Sequence, residues 1–212
     1  MQKISLNGKW NVKGRPQGDE GAKLIDIVGT VPGCVQLDLS ENGILPSDLN
    51  MGLNILEAEK FENYEWWYEC RFDAPTNTAN AYLVFEGVDC IAEYFLNGIK
   101  IGESDNMFIA HEFSVDSYLK DGENTLCVHI SSPILEADKK EYNLKLLNKC
   151  FNYMESLHIR RAPHSYGWDI MPRAVTSGLW RGVSLEIRDE IYFNQSYFKA
   201  EGSMNKSSKN GQ

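Results

Sequence analysis

The sequence predicts an all-β sandwich, and three observations carry that prediction. Short runs alternate apolar and polar residues, hairpin and turn signals separate them, and helices of the kind a doubly wound α/β sheet needs between successive strands are missing. The clearest run is Trp66 to Phe72, where Trp66, Tyr68, Cys70 and Phe72 alternate with Trp67, Glu69 and Arg71. A period of two sends one set to a buried face and the other to solvent. Ala81 to Glu86 and Cys90 to Leu96 follow as β-rich runs. The second ends at Asn97-Gly98, a pair that accepts positive φ in a two-residue turn, so Ile99-Lys100-Ile101 is expected to return antiparallel. Beyond Asp121-Gly122, Leu126, Val128 and Ile130 alternate with Thr125, Cys127 and His129. Near the end, Val183, Leu185 and Ile187 alternate with Ser184, Glu186 and Arg188. Both segments read as strands with one wet face.

Two segments break the pattern. Val35 to Asn42 reads as a short helix stopped by Gly43, since glycine takes the left-handed C-terminal conformation at little cost. A longer interruption runs from Pro133 to about Tyr166, with Leu144, Leu147, Phe151 and Met154 at helical spacing, which predicts a short helix packed on the sandwich. An excursion of roughly 30 residues exceeds the usual structural connection, and such loops tend to carry function, so the site is sought at its far end. The sandwich is expected to occupy residues 1–190. Residues 191–212, with Ile191-Tyr192-Phe193 and Tyr197-Phe198 ahead of a polar tail, read as the truncated start of a following domain.

Composition narrows the function classes. A net charge of -9, from 30 acidic and 21 basic side chains, repels phosphate backbones and anionic lipid, so no nucleic-acid partner is expected. No apolar run approaches the roughly 18 residues that a bilayer span requires, and no membrane association is expected. Five cysteines, Cys34, Cys70, Cys90, Cys127 and Cys150, lie far apart without CxxC spacing, which predicts free thiols in a reduced compartment. The first residues lack the apolar stretch of a secretory signal, so the chain is cytoplasmic if its start is native and exported if a leader was removed. GxSxG, HxxxH and phosphate-cradling glycine motifs are all missing, so no catalytic serine, metal or nucleotide cofactor is expected. Glycoside hydrolysis needs two facing carboxyls, and among 30 acids the sequence singles out no such pair.

Aromatic residues are more informative. Trp67 stands on the polar face of its strand, either covered by a neighbouring element or offered as a ligand platform. The densest cluster runs Arg160-Arg161-Ala162-Pro163-His164-Ser165-Tyr166-Gly167-Trp168-Asp169-Ile170-Met171-Pro172-Arg173. Two prolines and a glycine stiffen it, so Trp168 can present a flat apolar face beside the two acceptors of Asp169, which is what a pyranose needs. The competing account is structural: Asp169 pairs with Arg161 or Arg173, and Trp168 plugs the core. The residues alone leave both open, with Arg161, Arg173 and Trp67 as secondary candidates.

An ordered series of motifs extends the reading. It comprises Leu6-Asn7-Gly8-Lys9-Trp10, Val31-Pro32-Gly33 with Leu37-Asp38-Leu39, Trp66-Trp67-Tyr68, Leu83 to Asp89, Phe95-Leu96-Asn97-Gly98, Gly167-Trp168-Asp169 and Gly178-Leu179-Trp180-Arg181. In this order, over about residues 4 to 188, the chain resembles the N-terminal domain of glycoside hydrolase family 2, in its β-mannosidase-like branch. The resemblance implies a galactose-binding-type jelly roll with one short helix-containing insertion. It also implies immunoglobulin-like domains and a TIM barrel, elsewhere in the same polypeptide, that carries the catalytic glutamates. The family's acid/base glutamate follows an asparagine, and no Asn-Glu dipeptide occurs here, so the resemblance implies that no catalytic residue lies in this chain. It further implies that Trp168 and Asp169 match a loop that contacts the substrate sugar. The branch continues its motif with Trp-Gly-Pro, whereas Ile170-Met171-Pro172 keeps only the proline. The alternative is a free-standing carbohydrate-binding or protein-interaction module.

Overall fold

A computed structural model describes residues 1–141, 154–193 and 196–200. Its strands are β1 (Gln2–Ser5), β2 (Gly8–Pro16), β3 (Ile25–Val31), β4 (Tyr64–Asp73), β5 (Ala81–Phe85), β6 (Ala92–Leu96), β7 (Ile99–Ser104), β8 (His111–Ser114), β9 (Glu123–Ile130) and β10 (Val183–Ile187). The α-helices are α1 (Val35–Glu41) and α2 (Pro133–Asp138), and 3-10 turns cover Asn54–Phe61, Met154–Leu157 and Pro163–Tyr166. The strands form two antiparallel sheets, β1-β10-β5-β8 and β3-β2-β4-β9-β6-β7, so the architecture is the two-layer sandwich that the alternating runs predict.

Alternation explains the layers. In β4, Trp66 and Tyr68 are fully buried; in β9, Leu126, Val128 and Ile130 meet them on the same face through the register Trp66↔Ile130 and Tyr68↔Val128. Phe85 from the smaller sheet packs on Tyr94 from the larger at 4.4 Å between ring centroids, and Phe113 lies 4.7 Å from Tyr94. Such offset aromatic contacts add to the area they bury. The β6–β7 hairpin turns at Asn97 and Gly98, with φ of 54° and 82°, as a primed turn requires.

The structure departs from expectation in two places. β10 has no wet face: Ser184, Glu186 and Arg188 are buried, and Arg188 and Lys3 form ion pairs with the Glu186 carboxylate. The strand expected from Cys90 begins at Ala92, while Asp89 bonds through both backbone groups to Gly178. Helix α2 opens the long excursion, with the Ser132 hydroxyl accepting from the Leu135 amide as an N-cap. Of the expected helical stripe, Leu144, Leu147 and Phe151 lie outside the described residues, and Met154 opens a 3-10 turn. Cys34, Cys70, Cys90 and Cys127 are free thiols, and Cys150 lies outside the described residues.

One seam positions the candidate site. The Gly33 amide donates to the Leu179 carbonyl, the Val35 amide to Ser177, and the Gln36 side chain to Val175, which zips the start of α1 onto residues 175–179. Gly178 sits at φ +147°, and a Cβ there would come within 2.9 Å of the Cys34 Cα, so only glycine permits this approach.

Candidate functional site

Two stabilised stems carry the predicted turn out of the sandwich. The Pro163–Tyr166 turn leads through Gly167, at φ 101°, to Trp168. Trp168 and Met171 exchange backbone hydrogen bonds of 2.9 and 3.0 Å, which closes a tight turn over Asp169 and Ile170. Below it the Ala174 amide donates to the Ser165 carbonyl at 2.9 Å. The result is a small hairpin with Asp169 and Ile170 at its tip.

The tip stands in solvent. Trp168 is 65% exposed, and Ile170 more so. Asp169 is exposed and takes part in no hydrogen bond or ion pair among the described residues. The two acceptors of its carboxylate are therefore free of protein partners among the described residues, one position along the chain from the exposed Trp168.

Neither arginine pairs with Asp169. Arg161 is buried and donates from one nitrogen to Asp89 at 2.8 Å and to the Thr176 carbonyl and hydroxyl at 3.0 Å each. The Thr176 hydroxyl in turn donates to Asp89 at 2.7 Å. Burial outweighs these contacts and holds the Asp89 carboxyl above the ordinary aspartate range. Arg173 forks onto Glu62 through Nε and Nη2 at 2.8 and 2.7 Å, reaches Glu155 at 3.0 Å, and donates to the Tyr166 carbonyl at 3.3 Å. Bidentate geometry of this kind fixes the guanidinium plane as well as its position. Tyr166 is fully buried, with Arg161 and Arg173 over its ring at 5.1 and 5.7 Å.

Beside the hairpin opens a cavity of about 500 Å³. Pro32, Leu37, Met107, Met171 and Trp180 give it apolar walls, and Asp89 and Arg161 belong to its lining. Met171 joins turn to cavity, whereas Trp168 and Asp169 are outside the lining. Of the cavity lining, Leu37 and Met171 are exposed large apolar side chains.

Trp67 belongs to a different group. Its ring stacks on His129 at 4.8 Å and 16°, with Arg15 at 5.1 Å, on the outer face of β4. Glu65 bonds both Arg15 and His129, so the indole is covered by polar neighbours on that face. Among the described residues no group of three or more His, Cys, Asp or Glu side chains is arranged to hold a metal ion, and no helix is long and apolar enough to cross a membrane. Sequence reasoning missed Asp89, Thr176, Glu62 and Glu155 as partners of the two arginines. Glu62 lies 111 positions from Arg173, and no local pattern joins them.

The fold defines a galactose-binding-like β-sandwich domain. The chain belongs to the family described as "Glycosyl hydrolase 2 galactose-binding domain-like", whose model matches residues 10–181. It is 36% identical to the β-mannosidase B of Emericella nidulans, over 86% of this chain and 22% of that protein. Against the mouse β-mannosidase the identity is 29%, over 86% of this chain and 21% of the relative. A crystal structure of a β-D-mannosidase from Dictyoglomus thermophilum superposes with a TM-score of 0.77 at 39% identity, over 88% of this chain and 22% of that one. The chain thus spans about a fifth of the length of the relatives it matches.

Proposed function

We propose that this chain is the non-catalytic, sugar-facing domain of a β-mannosidase-type glycosidase, and that Trp168 and Asp169 contact the substrate sugar. One observation carries the reading: an exposed indole and an exposed, unpartnered carboxylate occupy successive positions on a turn whose stems are bonded to the body of the domain. An indole face stacks on the C–H surface of a pyranose, and a carboxylate bridges its hydroxyls. The backbone that carries both groups is bonded across the turn before the ligand arrives, which lowers part of the ordering cost of binding.

The carboxyl pair that breaks the glycosidic bond belongs, in this reading, to the part of the polypeptide outside residues 1–212. That part packs over the cavity and the exposed apolar side chains of Leu37 and Met171 in its lining, an arrangement that exposed large apolar side chains favour. Residues 191–212 lead into the next domain: Ile191 and Phe193 are exposed, as apolar side chains would be when their covering domain is missing. The relatives named above support β-mannosides as the substrate class.

Turnover of aryl β-mannosides tests the reading. A polypeptide extended past Gln212 along its natural reading frame hydrolyses them, and residues 1–212 alone do not. Turnover by the isolated chain, or a reading frame that ends at Gln212, would overturn the proposal.

A further inference from the structure

We propose that Tyr166 is a positioning residue, and that its ring, gripped by Arg161 and Arg173, fixes the angle at which the Trp168–Met171 turn meets its ligand. The inference rests on the preceding reading of that turn as a sugar contact. It adds a residue that touches neither sugar nor reacting atoms.

The geometry points to this role because Tyr166 is buried without belonging to the main core of the sandwich. Its side chain is fully covered, yet it is absent from the cluster that Trp10, Trp66, Tyr68 and Phe85 form between the sheets. Its cover includes two guanidiniums from either side of the turn in sequence: Arg161 precedes it, Arg173 follows it, and both lie over the same ring. Each guanidinium is anchored to a different part of the domain. Arg161 is tied to Asp89, ahead of β6, and Arg173 to Glu62, ahead of β4. The ring therefore couples both stems of the hairpin to two separate points on the sandwich.

Only Gly167 separates Tyr166 from Trp168; it is buried at φ 101°, a conformation that favours glycine, and its amide donates to the His164 carbonyl at 3.0 Å, so the placement of Tyr166 is passed directly to the indole. Four contacts hold Tyr166 and its neighbour in place: the Arg173 bond to the Tyr166 carbonyl at 3.3 Å, the Ala174–Ser165 backbone bond, and the two cation–π contacts. Removing the ring leaves the bonds that join the two stems and takes away the surface that both guanidiniums contact.

Backbone amide relaxation on the isotope-labelled chain tests this directly. In the wild type the amides of Trp168 to Met171 have order parameters near those of β4 and β9, roughly 0.8. Tyr166→Leu and Arg173→Lys lower them to below about 0.6 while the strand values hold, and Tyr166→Phe, which keeps the ring, restores them. Should Tyr166→Leu not fold, Arg173→Lys decides, because it keeps the charge but loses the fork onto Glu62. A turn that stays as ordered as the strands in the folded variants overturns the proposal.

Kinetics of the extended polypeptide separate this inference from the one beneath it. Arg173→Lys lowers kcat/KM about tenfold when Trp168 is present, and less than about twofold in a Trp168→Ala background. Equal losses in both backgrounds count against positioning. If Trp168→Ala alone leaves turnover unchanged, the sugar-contact reading fails, and the relaxation result still judges the grip on Tyr166.

Discussion

Asp89 and Asp169 are the same side chain in opposite surroundings. Asp89 is 2% exposed and bonded to Arg161 and Thr176, whereas Asp169 stands in solvent with no hydrogen-bond partner among the described residues. A buried carboxylate must be paired, because an uncompensated charge there costs several kcal/mol. An exposed one is satisfied by water and can exchange that water for a ligand's hydroxyls. The first aspartate belongs to the fold and the second is available for binding, although sequence alone gives both the same chemistry.

Breaking the buried pair is the harshest test of that contrast. Arg161→Met leaves Asp89 without its cation and is expected to cost about 3–5 kcal/mol in urea unfolding. The loss should depend on pH. Burial already raises the Asp89 carboxyl above its unfolded value, so the folded form holds that proton more tightly, and the contribution of Asp89 to stability falls as pH rises through the folded value. Without Arg161 the carboxyl rises further, and the gap between variant and wild type narrows as pH is lowered toward about 4. A gap independent of pH would mean that lost packing, rather than a stranded charge, sets the cost.

Gly178→Ala probes the seam to which Asp89 is bonded. Its Cβ would meet the Cys34 Cα at 2.9 Å and the Gly33 carbonyl at 3.0 Å, at a φ that L side chains avoid, so a loss of about 1–3 kcal/mol is expected. The thermal melt measures it, and an unchanged melt would show that the approach of residues 33–34 is adjustable.

The smallest effect lies with the exposed partner. A monosaccharide of about 12 heavy atoms, at roughly -0.3 kcal/mol per atom, binds the isolated chain no better than about 1 mM. Titration with methyl β-mannoside should shift the resonances of Trp168 and Asp169 and leave Arg161 and Thr176 unmoved. Shifts at the buried pair with none at the turn would reverse the assignment of the two aspartates.

Much of the sandwich was legible in the sequence, and what was not has identifiable causes. β4 and β9 read clearly because their buried positions carry large side chains throughout, and the β6–β7 hairpin because Asn97-Gly98 has few other uses. β2 and β3 were not singled out, since glycines interrupt their inward faces. Gly14 lies where the Trp66 ring fills the space, and Gly29 lies against Val12 and the buried Asp38. β1 and β8 span four residues each, too short for a period to register. Within the site, proline, glycine and aromatic residues marked the turn locally. The pairing of Arg161 with Asp89, across 72 positions, is a product of the fold and has no local signature. The sequence therefore left Asp169 bonded to an arginine as an open alternative, which the structure does not adopt.

The most direct test of the sugar-contact role compares Trp168→Ala and Asp169→Asn in the extended polypeptide, with kcat/KM on an aryl β-mannoside measured beside the melt of residues 1–212. Loss of a charged hydrogen bond worth about 1.5–3 kcal/mol predicts a fall of roughly 10- to 150-fold for Asp169→Asn, with stability unchanged to within about 0.5 kcal/mol. Full turnover in both variants, or a melt that collapses with the activity, would contradict the account.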